Sequence, residues 1–454
     1  PRHQVSITTF LGRAVFEEGD PDIGENEIRT GLNRAWLTSL SWRYTPGSRF
    51  AVTQRLFSTG LRFDNDNRDG ATLDAARVSE IGWRADASLS ASARAVVEFG
   101  GDVVRLQGRT RIVRQLSPVS SPFTVNEYDQ HSSAASAYGQ IRVGLGSRLT
   151  VTPGGRVDHW PLIRETSASP WINAELRIGD NTRLRGGSGV YRQFPDLDDV
   201  YGLNGGGRDL RPESALHIDA GLERTLPHQT RVLFNVYARH ESDVLWRPRF
   251  EPRLDSNGSI QSGVINTPWV NALEGKARGV EVVVRRDATD RLSGWAGYAY
   301  GRLRYTQTST GERFWADADQ RHTLSLYGNY RLSNRTSASA RYRYGSNYPM
   351  VGYLGEPSTR LGSVRRGDGR PLFYGLARER NTLRLPAYSR LDVRADRAFN
   401  WSRRRLVLFV DVANILNRTN LRNTHYGVDS AGRVFETTES LMPIVPSGGF
   451  VIEF

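Results

Sequence analysis

Eight histidines, at positions 3, 131, 159, 217, 228, 240, 322 and 425, are the first place to look for a metal or an acid–base catalyst. No two stand four residues apart, so the His-x-x-x-His pair of a zinc-hydrolase helix is missing. Gly186-Gly187-Ser188-Gly189-Val190 resembles a nucleophile elbow, but Val190 stands where the closing glycine belongs. The segment also reads as strand rather than as a strand-to-helix turn, with its glycines packed closely against a neighbour. Gly275-Lys276 is no phosphate-binding loop, because Val270 and Ala277 occupy the positions that need Gly and Ser/Thr. Asp64-Asn65-Asp66-Asn67-Arg68-Asp69-Gly70 alternates oxygens as a calcium loop does, yet Arg68 takes the third ligand position and no bidentate Glu follows. It reads as a polar surface loop. Asp392 and Asp396 share a strand face, about 13 Å apart at about 3.3 Å per residue. Paired glycosidase carboxylates lie within about 10 Å, so these two are too distant. With no cysteine, thiol catalysis and Cys-based metal sites are excluded as well. No enzyme, cofactor or metal is expected.

The elements that would position such residues are many and short-ranged. The chain has 454 residues, 38% hydrophobic and 24% charged, enough for a large ordered fold. Its 45 Gly, 18 Tyr, 17 Phe and 10 Trp favour strands and turns. Lys276 is the single lysine among 61 basic residues, and the net charge is +13. The arginines are spread along the chain without a basic tail or an aromatic RNA-binding motif, so nucleic acid is not the expected partner. The lack of cysteine suits an oxidising compartment. The sequence begins at Pro1 rather than Met, as expected of a removed leader or a longer parent chain. Its longest apolar run is Leu406 to Val410, which rules out a transmembrane helix but not a membrane strand.

Alternation with a period of two returns in segment after segment. Leu216, Ile218, Ala220 and Leu222 oppose His217, Asp219, Gly221 and Glu223; Val232, Phe234, Val236 and Ala238 oppose Asn235, Tyr237 and Arg239. Leu324, Leu326 and Tyr330 oppose Thr323, Ser325, Tyr327 and Asn329, and Leu391, Val393 and Ala395 oppose Arg390, Asp392, Arg394 and Asp396. A soluble sandwich alternates too, so the connections decide. Short gaps fall near 45–48, 144–147, 179–181, 227–229, 287–290, 333–334 and 400–402. Long ones fall near 14–30, 62–77, 115–132, 194–214, 247–275, 305–318, 346–386 and 416–445. Short and long in turn is the rhythm of an all-β transmembrane antiparallel β-barrel, here of about 18 strands with tight turns on the periplasmic side. Trp42, Tyr44, Tyr342, Tyr344, Phe399 and Trp401 stand near strand ends, where aromatic girdles anchor a barrel at the lipid headgroups. Phe450, Ile452 and Phe454 share one face of a last strand that ends the chain on an aromatic residue; this resembles the pattern of outer-membrane proteins, and the resemblance implies that these residues carry the signal read by the barrel-assembly machinery.

Four stretches carry a family resemblance. They are Gly189-Val190-Tyr191-Arg192-Gln193-Phe194-Pro195 with Asp209-Leu210-Arg211-Pro212-Glu213; Asp319-Gln320-Arg321-His322-Thr323-Leu324; Leu385-Pro386-Ala387-Tyr388-Ser389-Arg390-Leu391-Asp392-Val393; and Leu408 to Asn417. In order and spacing the chain resembles the barrel of a TonB-dependent outer-membrane transporter, of the subgroup that often carries a carboxypeptidase-regulatory-like domain. Gly207 and Arg208 replace the Asn-Pro that leads the family's version of the first motif. The resemblance implies a 22-stranded barrel, a plug and a TonB box; residues 1–454 are then expected to be one barrel domain that starts about four strands in, without the plug. It further implies energy-coupled passage of a bulky solute, driven by TonB–ExbB–ExbD through the N-terminal part, with lipopolysaccharide and outer-membrane lipid around the wall. A passive porin-like barrel of about 18 strands, or an adhesive or structural surface protein, is the alternative.

Within that frame Asn414 and Asn417 are expected to end strand pairing and Pro212 to fix a turn. Arg341, Arg343, Arg390, Asp392, Arg394 and Asp396 are expected on the lumen wall, with Arg390 and Arg394 interleaved between Asp392 and Asp396 as an ion-pair ladder or as a merely hydrated wall. Loop 346–386 offers Tyr348, Tyr353, Arg365, Arg366 and Tyr374, aromatic faces and arginine forks suited to an anionic or sugar-like solute and equally to lipopolysaccharide phosphates on the outer leaflet.

Overall fold

A computed structural model describes residues 2–19, 23–115, 121–264, 266–287, 291–356, 373–401, 404–424, 426–435 and 437–453. Eighteen long strands make the wall. The first nine are β1 (His3–Glu17), β2 (Thr30–Tyr44), β3 (Phe50–Asp66), β4 (Thr72–Ser92), β5 (Ala95–Arg114), β6 (Phe123–Leu145), β7 (Leu149–Trp160), β8 (Glu165–Arg177) and β9 (Thr182–Gln193). The second nine are β10 (Glu213–Leu226), β11 (Thr230–Trp246), β12 (Val270–Arg286), β13 (Leu292–Gln307), β14 (His322–Ser333), β15 (Thr336–Gly345), β16 (Tyr388–Trp401), β17 (Arg404–Ala413) and β18 (Val445–Glu453). Each pairs antiparallel with its sequence neighbours, as a meander must. A nineteenth, three-residue strand, Arg313–Trp315, adds to the far end of β13. Among the described residues β1 pairs with β2 alone and β18 with β17 alone.

The connections separate by side. On one side every turn is tight, from residues 93–94 to residues 45–49; on the other run the long segments, up to residues 346–387. The expected long gap at 62–77 is a correction: β3 and β4 continue through it, and only residues 67–71 turn. Asn67, 2% exposed, closes that turn by accepting from the amides of Asp69 at 3.0 Å and Ala71 at 2.9 Å. The side chain replaces a backbone turn partner, so a long loop is not needed. Asp64 and Asp66 are therefore strand residues rather than loop oxygens, and among the described residues no group of acidic or histidine side chains could hold a metal ion.

Directly opposed residues share a face, so the register carries one face around the wall. On the apolar face stand Ile7, Leu40, Leu56 and Ile81, all substantially exposed, with Ile7 at 72%. Water would not tolerate such a patch; lipid does. Trp36 of β2 lies across Gly60 of β3 on this face, where a Cβ would overlap the indole ring. At the tight-turn end His3, Trp42 and Tyr44 stack. Phe399 and Trp401 are also exposed on this face. Phe450 (67% exposed) and Ile452 (41%) point the same way, and Phe454 lies outside the described residues.

Candidate solute passage and loop cap

The opposite, polar face is laced with ion pairs between strands. Arg390 binds Asp392 at 2.5 Å and Arg394 binds Asp396 at 2.7 Å, each two residues along β16. Arg343 reaches Asp392 at 3.5 Å from β15, Arg394 reaches Asp411 of β17 at 3.8 Å, and Ser447 of β18 donates to Asp411 at 2.6 Å. Arg341 stands opposite Asp392 in register on the same face, exposed. These ion pairs tie β15, β16 and β17 together, and the serine hydrogen bond adds β18. They continue on the far side of the wall through Arg84 to Asp86 at 2.9 Å and Arg156 to Asp158 at 2.8 Å. Between these, His217, Asp219, Asn235, Tyr237, Arg239 and Glu281 line a hollow of about 500 Å³.

The long segments on the other side fold together. Two-residue and three-residue strands, Leu354–Gly355, Tyr374–Leu376, Arg433–Phe435 and Gly427–Val428, form a small sheet that joins loop 346–387 to loop 414–444. Under it Met350, Leu354, Leu376, Leu385, Leu421 and Val434 make a core, and Leu254 packs in from loop 247–269. Arg380, 4% exposed, ties three loops at once. Its Nε donates to Glu251 at 2.5 Å and its Nη2 to the other Glu251 oxygen at 2.8 Å and to Asp317 at 3.3 Å. Its guanidinium also lies over Trp246 and Phe314 at 4.8 and 5.3 Å. Burial alone would lower its pKa; the bonds to Glu251 and Asp317 outweigh that and hold it raised.

Asp319, 1% exposed, accepts from the Leu303 amide at 2.7 Å and pairs with Arg384 and, at 3.4 Å, with Arg321. Asn414, fully buried with φ 51°, donates to the carbonyls of Arg418 at 3.0 Å and Met442 at 3.2 Å; Asn417 has φ 45°. Both asparagines end β17 in the left-handed conformation that Asn tolerates. The quoted stretches therefore serve as anchors that fasten loops to strand ends. Arg380 and Glu251 lie outside those stretches, and no periodicity marks them.

The loop candidates separate. Tyr348 is 41% exposed and lines a hollow of about 360 Å³ together with Arg343, Gln320 and Tyr388. Tyr353 is a correction: it is only 4% exposed, because its ring fills the loop interior. Its hydroxyl accepts from Arg253 at 3.1 Å and donates to Glu312 at 3.2 Å. Burial, with Glu312 beside it, pushes that phenol up to about 12. Tyr374 is half-buried in its short strand, and Arg365 and Arg366 lie outside the described residues.

A five-residue helix, α1 (Leu197–Tyr201), lies against the polar face within loop 194–212. Asp196 caps it, accepting from the amides of Asp198 at 2.8 Å and Asp199 at 2.9 Å. Leu197 and Val200 pack with Leu162, Ile163 and Leu210, and Leu197 comes so close to Gly108 of β5 that a Cβ there would meet it at 2.9 Å. Asn126 of β6 pins the helix through Asp198 at 2.6 Å. Burial, with the charges of Asp196, Asp198 and Glu213 nearby, raises Asp199 to about 6.

A meander of long strands, apolar outside and ion-paired inside, with tight turns on one side and folded loops on the other, matches one family: the sequence fits the TonB dependent receptor-like β-barrel over residues 6–415. The chain belongs to that family. No curated protein matches the sequence. Solved structures agree on the fold at low identity. The ferric enterobactin receptor of Pseudomonas aeruginosa, solved as a mutant, gives a TM-score of 0.69 at 12% identity, covering 100% of this chain and 67% of its own. A siderophore receptor of Acinetobacter baumannii gives 0.67 at 9%, covering 99% and 71%. An outer membrane transporter of Escherichia coli gives 0.66 at 11%, covering 99% and 66%. The chain also spans 64% of the ferric-catecholate import receptor of E. coli and 62% of a ferric citrate transporter. The family and these neighbours are receptors and transporters of outer-membrane barrel type, not enzymes.

Proposed function

We propose that residues 1–454 are one barrel domain of an energy-coupled transporter that carries a bulky, anionic solute across the bacterial outer membrane. The observation that carries this is the hollow where cap and wall meet. Tyr348 of the outer loop and Arg343 of the lumen wall line it together. The Arg343 side chain is 33% exposed, so its accessible guanidinium edge can meet an incoming carboxylate, phosphate or catecholate oxygen. The solute would pass from this hollow along the ion-paired face, with TonB–ExbB–ExbD supplying the energy and the barrel-assembly machinery inserting the wall. Lipopolysaccharide and lipid would surround it.

Uptake of radio-iron-labelled ferric citrate and a ferric catecholate is the test, because ferric citrate and ferric-catecholate receptors are among the structural neighbours. Cells producing the protein are expected to accumulate at least one of the two, to stop when an uncoupler collapses the proton-motive force, and to lose most uptake in Arg343→Gln with Tyr348→Ala. Uptake that continues under the uncoupler would make the barrel a passive pore.

A further inference from the structure

Tyr237 of β11, half-buried, lies flat along the polar face. In register it opposes Gly279 of β12, and Gly279 opposes Gly301 of β13. A Cβ at Gly279 would meet the phenol ring 2.6 Å away, and one at Gly301 would meet the hydroxyl at 2.8 Å. Two glycines on successive strands thus make the bed for one ring, which keeps its other face towards the passage. Ala277 and Ala299 stand two residues from these glycines on the same strands, so the wall around the ring stays low.

Polar groups that the protein itself leaves unused surround the ring. Asp219 opposes Tyr237 from β10, Asn235 lies two residues along β11, and Glu281 opposes Asn235 from β12. Strand geometry puts their Cβ atoms about 5 to 8 Å from that of Tyr237. None of the three side chains makes a hydrogen bond or an ion pair among the described residues. Carboxylates beside them are spent: Glu223 pairs with Arg185 at 3.0 Å and Glu241 with Arg239 at 2.5 Å. The ring and its three polar neighbours line the hollow of about 500 Å³, a volume typical of small-molecule sites.

Chemistry narrows the ligand. The bay asks for an apolar face to lie on the ring and for several donors spaced around it. A planar aromatic molecule stacks but leaves the acceptors empty, and an open-chain polyol fills the acceptors but offers no face. A lone cation meets the ring and the carboxylates but brings nothing for the amide. A pyranose supplies both needs at once. Its C–H bonds, polarised by neighbouring oxygens, meet the negative face of the aromatic ring, and its hydroxyls donate to carboxylate oxygens in charge-assisted bonds.

We propose that Tyr237, Asp219, Asn235 and Glu281 form a saccharide subsite on the passage wall. The pyranose ring stacks on Tyr237, and the two carboxylates and the amide hold its hydroxyls. The solute of the passage then carries a sugar ring, so this inference rests on the transport reading above.

The test uses the protein extracted from outer membranes in a detergent without a sugar headgroup. It is titrated calorimetrically with cellobiose, whose equatorial hydroxyls leave both ring faces flat, with sorbitol and with tetramethylammonium. Cellobiose is expected to bind, and the other two to bind at least about tenfold more weakly, a comparison that needs no variant. Tyr237→Ser should weaken cellobiose about tenfold, whereas Tyr237→Phe, which keeps the face, should stay within about threefold of the parent. Asp219→Asn with Glu281→Gln should weaken it by about 10²-fold, about tenfold per charged acceptor. Tyr330→Ser, on the lipid side of β14, should leave it unaltered. Sorbitol binding as tightly as cellobiose overturns the inference, and so does an unweakened Tyr237→Ser protein that keeps its folded, heat-modifiable migration. Tetramethylammonium binding more tightly than cellobiose also overturns it, by making the bay a cation site. If cellobiose does not bind while uptake of the iron chelates still stops under the uncoupler, this inference alone fails. If cellobiose binds as expected but no uncoupler-sensitive uptake is found, the transport reading fails and the subsite stands.

Discussion

Replacing Arg380 by Met tests whether the outer loops form one cap. The side chain is 3% exposed and holds Glu251 of loop 247–269 and Asp317 of loop 308–321 from its own place in loop 346–387. Methionine keeps the contact with Trp246 and Phe314 and removes the charge. Glu251, 14% exposed, is then left buried without its cation, whereas Asp317, 50% exposed, turns to water. Breaking a buried pair costs about 3 to 5 kcal/mol, and the rehydration of Asp317 puts this case near the lower end, about 3 kcal/mol. At about 1.4 kcal/mol per decade the open state of the cap becomes about 10² times more populated. Cleavage that follows opening tracks that population when reclosing is fast. Outer-membrane vesicles carrying Arg380→Met should therefore be nicked within loops 247–269 and 346–387 about a hundredfold faster than the parent, while the wall keeps its heat-modifiable migration. Adding Glu251→Gln removes the stranded charge and should restore most of the protection. A single variant nicked within twofold of the parent, or a double variant no better than the single, would refute the reasoning.

Asp199 supplies a pH dependence with a definite sign. Its folded pKa, about 6, lies above the ordinary 3.8, so the folded helix holds the proton more tightly than the unfolded chain does. That stabilisation is complete below about 3.8 and is lost as pH rises through about 6, so the protection factors of the amides in 197–201, exchange rates divided by the intrinsic rate at each pH, should fall between about pH 4 and about pH 7. In Asp199→Asn that fall should vanish, and protection that decreases on acidification would contradict the assignment. At Asn414, alanine removes three side-chain bonds, two donated and one accepted, at a left-handed position. A loss of about 2 to 4 kcal/mol is expected, read as a lower temperature for the loss of heat-modifiable migration, with Asn414→Gly recovering part of it by tolerating the φ.

The wall was legible because two unlike environments meet its two faces. Lipid on one side and an ion-paired interior on the other write a period of two into every strand, as in Leu391, Val393 and Ala395 against Arg390, Asp392 and Arg394. Glu213 stands at the start of the tenth of eighteen wall strands, where the alternation places it. The cap was not legible, since its contacts join residues far apart: Arg380 and Glu251 are separated by 129 positions, and nothing local distinguishes Arg380 from the many arginines around it. Tyr353 failed as a loop contact for the same reason, because exposure inside a folded loop depends on what other loops cover it. At 62–77 a polar run read as a long loop, yet one asparagine side chain closed the turn.

Arg13, Arg34, Arg62, Arg77 and Arg109, which oppose one another in register from β1 to β5, mark the limit most sharply. Positions 13, 34, 62, 77 and 109 have no common spacing, and each alone reads as one more solvated residue in an arginine-rich chain. What unites them is the pairing of five strands whose lengths run from 15 to 21 residues and whose turns differ. Strand parity can be read along one segment, but which residue faces which across a turn depends on turn length, and one residue's error would move a whole strand to the other face.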